Sequence, residues 1–93
     1  MNKMISELTD KDLDEISARC EAASARPWVS YVEGRDHTSG SSFIMKGEGE
    51  NRGDDIELSD ATTEDQDFIA HARQDVPRLL DEIRRLKKLI AQT

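Results

Sequence analysis

Apolar residues follow two different periods along the chain, and the changes of period divide it into elements. Leu13, Ile16, Cys20 and Ala23 recur at steps of three and four, which places them on one stripe of a helix. Thr9 stands where an N-cap is needed, and Asp12 three residues later completes a capping box. Asp10 and Asp12 also suit the positive end of the helix dipole. A residue before proline is pushed out of the helical region, so Arg26-Pro27 closes the element. A first helix is predicted over about residues 9–24.

After Pro27 the period drops to two. Trp28, Ser30 and Val32 alternate with Val29 and Tyr31, Phe43 and Met45 with Ile44 and Lys46, and Ile56 and Leu58 with Asp55 and Glu57. Three strands follow, about 27–33, 42–47 and 54–59, forming an antiparallel sheet joined by polar, Gly-bearing loops. The helical period then returns. Thr63 with Gln66 reads as a capping box, and Phe68, Ile69 and Ala72 give a short apolar face. Pro77 is suited to a first turn, which predicts helices over about 63–75 and 76–91 with a kink between them. Val76, Leu79, Ile83, Leu86 and Ile90 continue at heptad spacing. The expected architecture is a single α+β domain over residues 1–93: helix, three-stranded sheet, kinked helical segment.

Composition narrows the functions open to such a domain. With 93 residues, 35% of them apolar and 4% aromatic, the core must be thin, and association with another copy would bury more apolar surface. A large pocketed enzyme, a membrane span and a disulfide scaffold are excluded. The net charge of −7 argues against direct nucleic-acid binding, because phosphate neutralisation needs a basic surface. Charge is unevenly spread: residues 27–59 and 60–75 each carry −4, while 76–93 carry +3. Cys20, the single cysteine, reads as a small apolar residue of a reducing compartment, and no apolar run has signal-peptide length. The expected location is cytoplasmic.

Candidate chemistry is sparse. The stretch 33–42 holds Arg35, suited to bidentate recognition of phosphate or carboxylate, Asp36, His37 and several hydroxyls. On composition alone it is an ordinary solvated loop held by Asp36 and serine contacts to backbone. Phe68, His71 and Arg73 share one short helical stretch and combine an aromatic, an imidazole and a guanidinium; on residues alone the reading is a core Phe68 with two surface polar groups. Gly47, Gly49 and Gly53 lack the spacing of a phosphate loop, and His37, His71 and Cys20 stand too far apart to suggest zinc. No metal, cofactor or catalytic constellation is expected, and the chain reads as a non-enzyme. Leu79, Ile83, Leu86 and Ile90 offer either a helix–helix dimer seam or a face packed on the chain's own sheet.

Two stretches carry a resemblance. Arg19-Cys20-Glu21-Ala22-Ala23-Ser24 leading to Pro27-Trp28, and Asp65 through Leu80 (DQDFIAHARQDVPRLL), resemble the two ends of small phage and prophage proteins. That group includes the Ead-type early proteins and, more loosely, the Thoeris anti-defence sponges. A Gly-Pro-Trp is usual there, whereas Arg26 precedes Pro27 here. The resemblance implies an oligomeric, non-enzymatic anti-defence protein that sequesters a cyclic nucleotide-derived signal. Under it Arg35, Arg52 and Arg73 become the phosphate grips, and Trp28, Phe43 and Phe68 the stacking surfaces. His37 and Asp36 would read ribose or base edges, with His71 beside Phe68. The alternatives are an acidic inhibitor that covers a basic host factor and a module that only dimerises.

Overall fold

The computed structural model describes residues 7–92. Helix α1 covers Asp10–Ala22, strand β1 Trp28–Tyr31, strand β2 Phe43–Lys46, and helix α2 Thr63–Ala91. The two strands pair antiparallel, with Trp28 opposite Lys46 and Tyr31 opposite Phe43. The α+β class therefore holds, with two strands in the sheet rather than three. The predicted strand 54–59 shrinks to one bridge, in which Ile44 and Ile56 exchange backbone hydrogen bonds of 2.8 and 2.9 Å. Ile44 is wholly enclosed at 0% exposure, which rewards Ile56 for pairing beside it. Asp54, Asp55 and Glu57 are exposed on either side, and nothing apolar there extends the ladder.

Helix α1 begins as the sequence predicts. The Thr9 hydroxyl accepts from the Asp12 N–H at 3.0 Å, and the Asp12 carboxylate accepts from the Thr9 N–H at 2.8 Å. The cap of α2 lies one residue earlier than the pattern indicated: Thr62 and Asp65 form the box, at 3.0 and 3.1 Å, in place of Thr63 and Gln66. Gln66 has a different task. It is 5% exposed, and its amide donates to the Ser30 hydroxyl and to the carbonyls of Tyr31 and Phe43, at 2.9, 3.2 and 3.1 Å.

One continuous helix runs through Pro77, and the two separate helices 63–75 and 76–91 are not observed. Proline forfeits one backbone hydrogen bond, but α2 packs on both the sheet and α1, and that packing sustains the helix. Helix α1 lies antiparallel along the second half of α2, with Asp10 bonded to Lys87 at 2.6 Å and Asp14 to Arg84 at 2.9 Å. Both pairs are exposed and fix direction more than they add stability. Leu13, Val32, Ile44, Ala70 and Leu80 form the buried core. Cys20 is half-buried in the groove between the helices, beside Ile16, Trp28, Ala72 and Val76.

Candidate functional site

The sequence motifs at the two ends of the chain interlock. Gln74 grips β1 with both ends of its amide: its oxygen accepts from the Trp28 N–H at 2.7 Å, and its nitrogen donates to the Trp28 carbonyl at 3.1 Å. Arg73 Nε and Trp28 Nε1 both donate to the Ser24 carbonyl, at 2.9 and 3.2 Å. The turn they hold contains the cis Arg26–Pro27 peptide. Arg73 and Trp28, both candidate ligand contacts, are thus engaged in fixing the entry to β1.

On the other side of that entry lies an open concavity of about 420 Å³, lined by Trp28, Ser30, Arg35, Asp67, His71 and Gln74 among others. It gathers three of the nine candidate ligand residues: Trp28, Arg35 and His71. The Arg35 guanidinium meets Asp67 bidentately at 2.8 and 3.1 Å, and reaches Asp36 at 2.8, 3.1 and 3.2 Å. Those two carboxylates raise the Arg35 pKa further above its ordinary value. In return Arg35, followed by the Ser30 hydroxyl, holds Asp67 down to about 2. Asp36 is lowered by Arg35 and then by the Val32 N–H, which donates to it at 2.8 Å. The trio Arg35, Asp36 and Asp67 sums to −1, so an incoming anion would have to displace a carboxylate from the guanidinium. His71 Nδ1 lies 2.8 Å from the Asp67 carbonyl and donates to it, which leaves Nε2 as the acceptor in the neutral ring.

His37, the next candidate, belongs to a different cluster. Its ring packs against Phe43 at 5.2 Å and Tyr31 at 6.4 Å, and those two rings stack at 5.5 Å. Its Nδ1 accepts from the Ser39 N–H at 3.0 Å, with the Ser39 hydroxyl at 2.8 Å and Glu33 Oε1 at 3.5 Å. Serine, histidine and carboxylate together suggest a nucleophile relay, but both oxygens meet the same ring nitrogen. The other nitrogen, Nε2, is buried and is the unpartnered buried side-chain polar atom among the described residues. A relay needs its two oxygens on opposite ring nitrogens, so the cluster lacks that geometry and instead closes the loop. Ser42 Oγ accepts from the Glu33 N–H at 3.0 Å and Glu33 accepts from the Gly40 N–H at 2.7 Å, completing the closure.

The remaining candidates scatter. Arg52 pairs with Asp55 at 3.0 Å in the loop beyond β2. Phe68 is 74% exposed, contrary to the expectation of a core residue. It lies on a different face of α2 from Arg73, because five helical positions rotate a side chain through more than a full turn. Within one chain the three arginines serve separate local partners rather than a common cavity. The structural roles of Gln66, Asp67 and Gln74 carried no motif in the sequence; their spacing of one and then seven residues along α2, facing the strands, was the available signal.

Among the described residues no group of three or more His, Cys, Asp or Glu side chains could hold a metal ion, and no helix is long and apolar enough to cross a membrane. Compared with known protein families, curated proteins and solved structures, the chain has no match.

Proposed function

We propose that this chain is a non-enzymatic binding protein that covers a basic surface of a macromolecular partner. The observation that supports this reading is the placement of charge. Residues 48–65 hold eight carboxylates against one arginine, a net −7 that equals the charge of the whole chain. All eight acidic residues are exposed, and the arginine, Arg52, is already paired with Asp55. A concentrated field of one sign steers a partner of opposite sign and penalises others. Elsewhere the polar side chains that the fold gathers are bonded to one another or to backbone, which suits a protein that presents a surface and transforms nothing. The resemblance of its flanks to phage early proteins supports a host factor as that partner.

The test uses the full chain as bait. Capture of a basic host protein is expected to weaken about tenfold between low and moderate salt, as exposed electrostatics are screened. Replacing Asp54, Asp55 and Glu57 by their amides is expected to abolish capture, while Arg35→Ala leaves it unchanged. Capture insensitive to both salt and the amide variant overturns the reading.

A second reading rests on the Trp28–Arg35–His71 concavity, whose volume suits a small molecule. There a cyclic nucleotide-derived signal would stack on the indole and exchange a phosphate for Asp36 on Arg35. Native mass spectrometry of the purified protein, followed by calorimetry with cyclic ADP-ribose isomers, decides it. A bound nucleotide lost on Arg35→Ala supports sequestration, and the absence of heat with every such ligand removes it.

A further inference from the structure

We propose that α2 pairs with α2 of a second copy, antiparallel, about a two-fold axis at Leu79. This goes beyond the basic-partner reading and does not depend on it. Leu79, Leu86, Ile90 and Phe68 are 61, 43, 72 and 74% exposed on one long helix. Together with Ala72, half-buried at the edge of the groove that holds Cys20, they form a stripe whose order is Phe68, Ala72, Leu79, Leu86, Ile90, with steps of 4, 7, 7 and 4 residues. The spacing is the same read in either direction. Laid against its own reverse, Leu79 meets Leu79, the small Ala72 meets the large Leu86, and Phe68 meets Ile90. Ile83, expected in the same seam, is half-buried.

The charges beside the stripe are symmetric about residue 80, one position from the centre of the stripe. Asp75, Arg78, Glu82 and Arg85 alternate in sign along one flank. In the antiparallel pair Asp75 of one copy lies about 3 Å along the axis from the position opposite Arg85 of the other, and Arg78 likewise from Glu82, a stagger that long side chains span, so all four contacts across the axis are attractive. A parallel pair would turn this flank toward the partner's other flank and form none of these contacts. Within the chain Arg85 already bonds Glu82 at 2.7 and 3.1 Å, which preorders that flank. The larger scale agrees: the acidic first half of α2 would lie along the basic second half of its partner. Open hollows lie beside the stripe, one next to Leu79 lined by Asp75, Arg78, Asp81, Glu82 and Arg85, the other next to Phe68 lined by Leu58, Ala61 and Ile69.

There is surface enough for a stable pair. The chain exposes 7020 Å², whereas a folded protein of this mass exposes about 5,400 Å². The excess of about 1,600 Å² per copy exceeds the roughly 800 Å² that each partner gives to a standard interface.

Light scattering on the full chain is expected to give twice the 10.5 kDa chain mass. Leu79→Glu, at an exposed position, is expected to give the chain mass with its helical circular dichroism kept. Asp75→Arg and Arg85→Asp should each raise the dissociation constant about tenfold, and the double variant should return it to within about threefold of the original. Ten positions apart, residues 75 and 85 do not touch within one helix, so rescue reports a contact between copies. In the Cys20→Ser/Ala72→Cys/Leu86→Cys variant, oxidation is expected to join position 72 of one chain to 86 of the other. A monomer at micromolar concentration, a charge swap without rescue, or bridges joining 72 to 72 would each overturn the proposal. None of these outcomes bears on the acidic segment 48–65, so the two readings fail separately.

Discussion

Two glutamines on α2 tie the helix to the sheet. Gln66 satisfies two strand carbonyls from a site that excludes water, and Gln74 brackets a single residue of β1. Gln66→Leu is expected to remove three hydrogen bonds at a buried position and to cost about 1–3 kcal/mol in a urea titration. Gly47 is a second sensitive position: its φ is +70°, and a Cβ there would run into the Asn51 carbonyl. Gly47→Ala should therefore destabilise by about 1–3 kcal/mol or more. The Arg35 cluster makes an acid-dependent contribution. Asp67 titrates near 2 in the folded chain against an ordinary 3.8, so its pairing is fully stabilising above about pH 4. Between there and pH 2 the unfolded chain takes up the proton first, and the contribution is progressively lost. The urea midpoint of the native chain should fall more steeply over that window than that of Asp67→Asn; equal slopes would refute it. At this scale the sequence was only partly legible. Thr9 and Asp12 announced their cap, but Thr62–Asp65 and Thr63–Gln66 satisfy the same pattern, and only the demand of two strand carbonyls for Gln66 decides between them.

Among the elements, those with two independent signals were readable and those with one were not. Helix α1 had its cap and its stripe, and β1 and β2 had alternation on both faces. The segment around Ile56 had alternation alone, and acidic neighbours with no strand to face left it a single bridge. Pro77 carried a strong local preference that tertiary packing overrode. Pro77→Ala should restore the missing backbone bond and raise stability by about 1–3 kcal/mol, read as a higher melting temperature. A lower melting temperature would mean that the ring's contacts near Cys20 and Arg73 matter more than the hydrogen bond. Phe68 misled because an aromatic at helical spacing normally turns inward; here the sheet takes the opposite face of α2 and leaves it outside.

As a whole, the molecule is long and flat, 54 × 36 × 20 Å. Its radius of gyration, 16.9 Å, compares with about 12 Å for a compact chain of this length. Such a shape leaves little interior for the number of residues, and the composition had already indicated a thin core. If pairing through α2 supplies the missing burial, the melting temperature should rise with protein concentration for the native chain and stay constant for Leu79→Glu.

The 20 Å dimension has one more consequence. No backbone amide sits far from bulk solvent, so protection against deuterium must come from local bonding rather than depth. The slowest-exchanging amides are expected at Ile44 and Ile56, which hold each other across the edge of β2. Those of the acidic stretch on either side of Ile56 should exchange within seconds, marking the bridge as an isolated protected point.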